Sequence, residues 1–333
     1  MKKLTIYILI ISLTALGLNA CAGSGSGSES EAEMWTGPIL GFSQLGDESE
    51  WRSASSHDIR RAADDWGIQL IFENAQQQQF NQIKAIRAFI FRGVDVIAFC
   101  PIVETGWDNV LEEAKEANIP VIVVDREIET ETVGLYRAFI GSNFHREGVK
   151  AGEWMVERFA GAEGPIRIAE ISGTPESSPT IGRDQGLREV IADNPKFEIV
   201  FSETGDFMRS KGREVMEQIL IETPDIDILY AHNDDMAIGA IEIMEENGIR
   251  PGVDIIIVSV DAQPSGLEAL KEGKINCLIE CSPYVGDDLM ELVLKIVNRE
   301  HIPARTFTET RVFTDRTDPN DLPVRPPINN DHD

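Results

Sequence analysis

The chain has 333 residues, which is enough for two domains of ordinary size, each with its own packed core. Its 57 acidic and 30 basic residues give a formal net charge of −27 at pH 7. A basic patch large enough to hold a polyanion cannot form against that charge, so nucleic acid is excluded as a partner.

The first residues, 1–21, have the pattern of a bacterial export signal. Two lysines precede a mostly apolar run over 4–18, which is shorter than the ~20 residues that span a bilayer. Ala20 before Cys21 resembles the lipobox of lipoproteins, in which the cysteine thiol accepts the lipid. Residues 22–35 are rich in Gly, Ser and Glu and predict a flexible tether. We therefore expect an extracytoplasmic protein anchored to a membrane through Cys21, with ordinary secretion as the alternative.

Catalytic and cofactor motifs are missing from the sequence. No GxGxxG follows a strand, and the chain has neither a Walker A loop nor a GxSxG elbow. The five histidines lack metal-ligand spacing. Cys100, Cys277 and Cys281 lack CxxC or zinc spacing and are expected to be buried strand residues. The sequence predicts a protein that is not an enzyme and that needs no cofactor or metal.

After the tether, short apolar runs alternate with longer amphipathic stretches, as in parallel strands joined by helices. Strands are predicted at 38–43, 68–73, 94–99, 120–125, 136–141, 166–171, 197–205, 226–233, 254–261 and 275–280. Helices are predicted at 51–66, 78–92, 106–118, 144–160, 208–222, 234–247 and 284–299. Strands that are apolar throughout must be covered on both faces, so the predicted fold class is α/β with doubly wound parallel sheets. The pattern pauses near Gly141, which predicts two lobes.

Polar side chains recur where predicted strands end. They are Gln44, Asp125 with Arg126, Asn233 and Asp261. In parallel sheets ligands bind at the carboxyl ends of the strands, because loops and helix N-termini converge there. Each of these residues could instead cap a helix, since Asp and Asn are favoured N-caps. Their recurrence in both halves of the chain favours a shared site.

The mouth of the first predicted helix adds Glu48, Trp51 and Arg52. An aromatic face packs on the C–H face of a sugar ring, while carboxylates and guanidinium groups bind its hydroxyls. Core packing is the alternative role for Trp51. Together with the residues at the strand ends, this group predicts a site for a polyol.

These stretches resemble the type I periplasmic binding proteins of the ribose and galactose kind, and within them the galactofuranose-binding proteins of bacterial ABC importers. The matching segments are GFSQLGDESEWR (41–52), QIKAIRAFIFRGVDVI (82–97), VVDREI (123–128), TGDFMRSKGREVM (204–216), YAHNDDMAIGA (230–240) and VSVDAQP (258–264). The resemblance implies that the sugar contacts are Glu48, Trp51, Arg52, Asp125, Arg126, Arg183, Asn233 and Asp261. Gly182 departs from the family pattern, which would place an acid before Arg183.

The family fold implies two lobes joined by three crossovers. The predicted lobes are 36–141 with 263–304, and 142–262 with 305–333. A ligand bound between them is expected to close the cleft. The implied partners are a neutral monosaccharide, galactofuranose or a related hexose or pentose, and an ABC transporter permease. The chain is expected to be a monomer.

Two alternatives to transport remain open at this point. A sensory binding protein of the same fold would present a sugar or an autoinducer to a receptor kinase. A sugar-modifying enzyme would convert its ligand. A repressor of the related fold is excluded, because an export signal and not a helix-turn-helix precedes the first strand.

Overall fold

The computed structural model describes residues 37–326. The predicted signal peptide, the predicted lipidation site Cys21 and the predicted tether lie outside the described residues, as do residues 327–333. Among the helices between 37 and 326, none combines the length and the apolar character needed to cross a bilayer.

Strands and helices alternate along most of the described chain. The strands are β1 (Ile39–Gln44), β2 (Gln69–Asn74), β3 (Val96–Phe99), β4 (Val121–Val124), β5 (Ala138–Gly141), β6 (Ile166–Ser172), β7 (Phe197–Thr204), β8 (Ile228–Ala231), β9 (Ile256–Asp261), β10 (Cys277–Glu280), β11 (Arg305–Phe307) and β12 (Val312–Thr314). The helices are α1 (Glu50–Asp65), α2 (Gln79–Arg92), α3 (Asp108–Glu116), α4 (Phe144–Arg158), α5 (Ser178–Ala192), α6 (Arg209–Glu222), α7 (Asp234–Glu246), α8 (Pro264–Lys271) and α9 (Gly286–Val297). All ten predicted strands and all seven predicted helices are present. Helices α5 and α8 and strands β11 and β12 are additional.

The strands form two six-stranded sheets of similar topology. The first sheet has the order β11-β5-β4-β3-β1-β2, with every neighbouring pair parallel. The second has the order β12-β10-β9-β8-β6-β7, in which only β12 is antiparallel to its neighbour. Without the last short strand, each sheet follows the same 2-1-3-4-5 order of a doubly wound fold. The predicted fold class is confirmed.

Apolar side chains cover both faces of each sheet. In the first lobe, α1 and α9 pack on one face, and α2 and α3 pack on the other. In the second lobe, α6, α7 and α8 contribute to one apolar cluster, while α4 and α5 contribute to the other. Strands β3, β4, β8 and β10 are buried at every position. Each lobe therefore has its own core, and the two sheets face the cleft with their carboxyl ends.

The lobe boundaries differ from the prediction in the last third of the chain. Strand β10 pairs with β9 in the second sheet, and β11 pairs with β5 in the first. The prediction assigned 263–304 to the first lobe and 305–333 to the second. The first sheet has β5 as the fifth strand of its 2-1-3-4-5 order. The corresponding fifth strand of the second sheet is β10, so β10 and the helix α8 that precedes it belong to the second lobe. The chain therefore crosses between lobes after β5, between β10 and α9, and between β11 and β12.

Glycines determine how closely α4 and α5 pack. A Cβ atom built on Gly148 would lie 2.2 Å from the Arg183 carbonyl oxygen, and one on Gly186 would lie 2.2 Å from the His145 carbonyl oxygen. One on Gly182 would lie 2.8 Å from the Phe144 Cβ atom. The two helices therefore touch through their backbones, and the absence of an acid before Arg183 is a packing requirement. The buried residues of α5 are Ser178, Pro179, Arg183, Gly186 and Leu187, which do not form an apolar stripe, so the sequence pattern does not reveal this helix.

Candidate functional site

A cavity lies between the two lobes, at the carboxyl ends of both sheets. It encloses about 300 Å³ of space that no atom fills, the open mouth included. Because that figure includes the open mouth, the space that the walls themselves enclose is smaller. Its lining residues are Glu48, Ser49, Trp51, Arg52, Asp125, Arg126, Phe144, Pro179, Arg183, Phe207, Asn233, Asp261 and Cys281.

The structure brings eight of the nine predicted site residues together in this lining, and Gln44 is the exception. The Gln44 side chain is fully buried beside the cavity. Its Oε1 accepts hydrogen bonds from the Leu45 amide (3.1 Å) and from Arg52 Nη1 (3.3 Å), and its Nε2 donates to Ser56 Oγ at 3.1 Å. The prediction that Gln44 contacts the ligand is thus corrected, because its polar atoms support Arg52 and the α1 entry.

Asp125 and Asp261 occupy equivalent places in the two lobes. Asp125 follows β4 and Asp261 ends β9, and each of these is the fourth strand in the order of its own lobe. Both have left-handed backbones, with φ of 62° and 124°. Such values are uncommon for a residue with a side chain and occur most readily for Asp and Asn among such residues. The sharp turn at each strand end places a carboxylate at the cavity wall.

The first lobe holds Arg52 through several partners. Nη2 donates to Asp125 Oδ2 at 2.9 Å, Nε donates to Glu48 Oε1 at 3.1 Å, and Nη1 lies 3.2 Å from Cys100 Sγ. Burial alone would lower the pKa of Arg52, but Cys100, Glu48 and Asp125 raise it well above its ordinary value. The guanidinium of Arg52 is therefore firmly charged and is held entirely by its own lobe.

Arg126 stands beside this group at the lobe interface. Its Nη1 donates to the Ile102 carbonyl at 3.1 Å, and its Nη2 lies 3.8 Å from Glu48 Oε1. Burial and the positive charge of Arg52 lower the pKa of Arg126. Its guanidinium carbon lies 5.1 Å from the ring centre of Phe207, which belongs to the second lobe. Arg126 therefore contacts both walls of the cavity.

The second lobe holds Arg183 through fewer groups. Nε donates to Glu147 Oε2 at 2.9 Å, Nη1 donates to the His232 carbonyl, and Nη2 lies 3.8 Å from Asp261 Oδ1. Burial raises the pKa of Glu147, and Arg183 opposes that rise only in part. Burial likewise raises the pKa of Asp261. Glu147 and Asp261 are both buried and share the single positive charge of Arg183. This arrangement favours retention of one proton by the two carboxylates.

Trp51 is a buried part of the cavity wall. It is 6% exposed, and its indole Nε1 donates to the Cys281 carbonyl at 2.7 Å. Its ring packs with the second-lobe apolar cluster that includes Phe144, although α1 belongs to the first lobe. The Arg52 guanidinium carbon lies 4.6 Å from the ring centre. Trp51 therefore lines the cavity and also joins the two lobes.

Asn233 performs the capping role that was the alternative reading and also lines the cavity. Its Oδ1 accepts the Met236 amide at 3.0 Å, which caps α7, and its Nδ2 donates to the Phe207 carbonyl at 3.1 Å. Glu280, by contrast, stays outside the lining, because Arg311 and Arg325 both bind its carboxylate. It adds no charge to the cavity wall.

Sequence reasoning missed several cavity residues and one supporting residue. Phe144 and Phe207 lie where α4 begins and just before α6 begins, at the same end of the sheets as the predicted polar residues. Applying the strand-end rule to aromatic as well as polar side chains would have found them. Glu147 lies on α4 and is fully buried. No local pattern marks it, because its closeness to Arg183 depends on the glycine contacts between α4 and α5.

Metal and disulfide chemistry find no support in the described residues. Between 37 and 326, no group of three or more His, Cys, Asp or Glu side chains is placed to hold a metal ion. Cys100, Cys277 and Cys281 are buried free thiols. Burial raises the pKa of Cys100 to about 12. These thiols are therefore protonated packing groups at neutral pH.

Comparison with known proteins agrees with this architecture. The family model of the periplasmic binding protein domain matches residues 40–300. The galactofuranose-binding protein YtfQ of Escherichia coli is 38% identical over 287 residues, which cover 85% of this chain and 90% of that protein.

Two solved structures are similar over most of their length. One, from Mycobacterium smegmatis in complex with β-D-fucofuranose, is 47% identical with a TM-score of 0.83, and the match covers 84% of this chain and 91% of that one. The other is the periplasmic binding component of the arabinose ABC transporter from Shewanella sp. ANA-3, bound to α- and β-L-arabinofuranose. It is 42% identical with a TM-score of 0.80, over 83% of this chain and 92% of that one. The resemblance inferred from the sequence is confirmed, and the chain belongs to the periplasmic binding protein domain family.

Proposed function

We propose that this chain binds one neutral monosaccharide in its furanose form between the two lobes and delivers it to the permease of an ABC importer. The observation that carries the proposal is the cavity itself, in which paired guanidinium and carboxylate groups surround a small space together with aromatic rings. The names of the relatives support the sugar class, because both solved relatives hold a furanose and YtfQ is a galactofuranose-binding protein.

The charges of the lining favour a neutral ligand. Three arginines and three carboxylates line the cavity, so their formal charges cancel: Arg52, Arg126 and Arg183 against Glu48, Asp125 and Asp261. A charged ligand would keep an uncompensated charge when the lobes exclude water, which costs several kcal/mol. A sugar hydroxyl both donates and accepts, so one ligand serves the carboxylates and the guanidinium groups.

Two buried atoms of the lining residues call for a polar partner. Glu48 Oε2 and Arg126 Nε make no hydrogen bond to any group in residues 37–326. One is an acceptor and the other a donor, and a buried polar atom without a partner is unfavourable by about 1–3 kcal/mol. A polyol offers both kinds of group within one molecule. An apolar ligand would satisfy neither.

The ring form is tested by calorimetric titration with matched glycosides whose rings cannot interconvert. Methyl arabinofuranosides and galactofuranosides are compared with the corresponding pyranosides, with both anomers of each. We expect at least one furanoside to bind more tightly than its pyranoside. Tighter binding of every pyranoside would contradict the furanose assignment. Conversion of any of these sugars during the titration, followed by product analysis, would contradict a purely binding role.

We also propose that Cys21 carries a lipid that holds the protein at a membrane outside the cytoplasm. The proposal rests on the sequence before residue 22 and not on the described structure. Cys21→Ser in the full chain should release the protein from the membrane fraction, because residues 22–33 of the tether include no apolar residue large enough to anchor it. Cys277→Ser, at a buried thiol, is the matched control and should leave the distribution unchanged. Retention of the Cys21→Ser protein in the membrane fraction would contradict lipidation.

A further inference from the structure

Glu50 is the first residue of α1 and directly precedes Trp51 and Arg52, but it does not line the cavity. Its backbone N–H donates to Asp235 Oδ2 at 2.8 Å. Its own carboxylate Oε2 accepts the Ser265 amide at 3.2 Å and also accepts the Ser265 hydroxyl. Asp235 and Ser265 belong to the second lobe, so all these bonds cross the cleft.

Each bond serves the N-terminus of a helix in the opposite lobe. The first N–H groups of a helix have no partner within the helix and carry partial positive charge, which a carboxylate stabilises. Helix α8 has no side-chain cap of its own, and Pro264 at its start has no N–H. The Ser265 amide is therefore the first free donor of α8, and Glu50 from the first lobe accepts it. Asp235 does the same for the Glu50 amide of α1.

We propose that Glu50, Asp235 and Ser265 form a lobe-crossing clasp that positions α1 against the second lobe and sets the population of the closed form. The clasp acts through Trp51 and Arg52, which follow Glu50 in the same helical turn and line the cavity. Because the clasp residues lie outside the lining, a ligand in the cavity does not compete for their bonds. The apparent affinity of a ligand scales with the fraction of protein in the competent form, so the clasp tunes affinity without touching the ligand.

A second set of lobe-crossing bonds makes the clasp testable without any ligand. The Glu104 amide donates to the Glu176 carbonyl at 3.1 Å, and the Glu127 amide donates to Ser178 Oγ at 2.8 Å. Both donors follow strands of the first sheet, and both acceptors lie at the start of α5 in the second lobe. These amides are protected from exchange only while the lobes are together, and no element of the clasp contacts them.

The experiment is amide hydrogen exchange on the sugar-free full chain, comparing Glu50→Ala with Asp47→Ala. Both substitutions remove one carboxylate near the start of α1, but Asp47 bonds only Ser53 within its own lobe. We expect the Glu104 and Glu127 amides to exchange about tenfold faster or more in Glu50→Ala and unchanged in Asp47→Ala. Amides of β3 and β8 report whether the lobe cores stay folded.

A purely local role for Glu50 predicts a different result. Faster exchange confined to the first turns of α1 and α8, with Glu104 and Glu127 unchanged, would overturn the clasp. If Glu50→Ala does not fold, Ser265→Ala removes the hydroxyl donor alone and should produce the same distant effect at smaller size. Unchanged exchange of Glu104 and Glu127 in that variant would equally overturn the proposal.

The effect on affinity rests on the proposed function, and the exchange experiment does not. With L-arabinose as the probe, Glu50→Ala should raise Kd through a faster dissociation rate, while Asp47→Ala should match the parent protein. Equal Kd values for the two variants would overturn the part of the proposal that concerns affinity. Failure of the parent protein to bind any sugar would count against the proposed function, and the exchange result would still decide the clasp.

Discussion

The two lobes share one strand order but hold their arginines differently. In the first lobe, Arg52 has Asp125, Glu48 and the Gln44 side chain as partners. The positive charge of the neighbouring Arg126 also offsets the negative charge of Glu48. In the second lobe, Arg183 depends on Glu147 and a backbone carbonyl, with Asp261 farther away at 3.8 Å.

The comparison shows that equivalent positions can have different tolerances. Loss of one partner in the first lobe leaves Arg52 with others at hydrogen-bond distance. Loss of Glu147 leaves Arg183 with no carboxylate at that distance. The approach of Glu147 in turn depends on glycines in α4 and α5, so helix packing in the second lobe directly determines the position of a charged group.

Glu147→Ala is the change with the largest expected effect. Removing one partner of a buried ion pair leaves an uncompensated charge, so we expect a loss of about 3–5 kcal/mol in the free energy of unfolding. Denaturant titration measures it. Glu48→Ala is the counterpart in the first lobe and should cost less, because Asp125 still holds Arg52. Equal losses from the two substitutions would contradict the difference between the lobes.

Gly148→Ala tests the packing that brings Glu147 to Arg183. The added Cβ would lie 2.2 Å from the Arg183 carbonyl oxygen, so α4 and α5 must separate. We expect a destabilisation of about 1–3 kcal/mol, the usual cost of overpacking, with weaker sugar binding. Gly161→Ala is the control, because nothing lies within 4 Å of its added Cβ. Unchanged sugar affinity in Gly148→Ala would show that the packing of α4 against α5 does not affect the binding site.

Trp51→Ala tests an aromatic ring that joins the two lobes. Loss of ring contact with the ligand should weaken sugar binding by about 1–3 kcal/mol. Because the indole also donates to the Cys281 carbonyl, Trp51→Phe should recover the packing but not that bond. Calorimetry gives the affinities and thermal melting gives the stabilities. A lower melting temperature with unchanged affinity would assign Trp51 a structural role alone.

The pH dependence of binding should be the smallest effect. Burial raises the pKa of Asp235 to about 6, the Glu50 and Glu48 carboxylates add to the rise, and the Glu50 amide and Arg209 oppose it. When the lobes open, water reaches Asp235 and its pKa falls toward the ordinary ~3.9. The closed form therefore binds a proton more readily, so closure is favoured as pH falls through 6 and is disfavoured as pH rises.

Calorimetry between pH 5 and 8 should accordingly show tighter sugar binding in acid, by less than about tenfold because Asp235 is only partly buried. Asp235→Asn keeps an acceptor for the Glu50 amide and should flatten this dependence. An unchanged slope in that variant would assign the pH effect to other groups.

The sequence predicts the elements of this fold well because continuous apolar strands and amphipathic helices are local patterns. The lobe to which β10 belongs depends on which sheet lacks a fifth strand. That depends on the pairing of all the other strands and not on the local sequence of β10. At the site, Asp125 and Asp261 are predictable because both occupy strand ends. Glu147 is not, since its role follows from a helix contact between residues far apart in sequence. Gln44 meets the strand-end rule and still does not line the cavity.

We propose that charge-balanced walls from the two lobes enclose a neutral sugar. Calorimetric titration with D-galactose, L-arabinose and D-ribose, beside galacturonate and galactose phosphate, tests it most directly. Glu147 adds a fourth carboxylate beside Arg183, but the proton that Glu147 and Asp261 retain between them offsets its charge, so an anion gains nothing from it. We expect at least one neutral sugar to bind more tightly than both anions. Tighter binding of either anion than of every neutral sugar would contradict it.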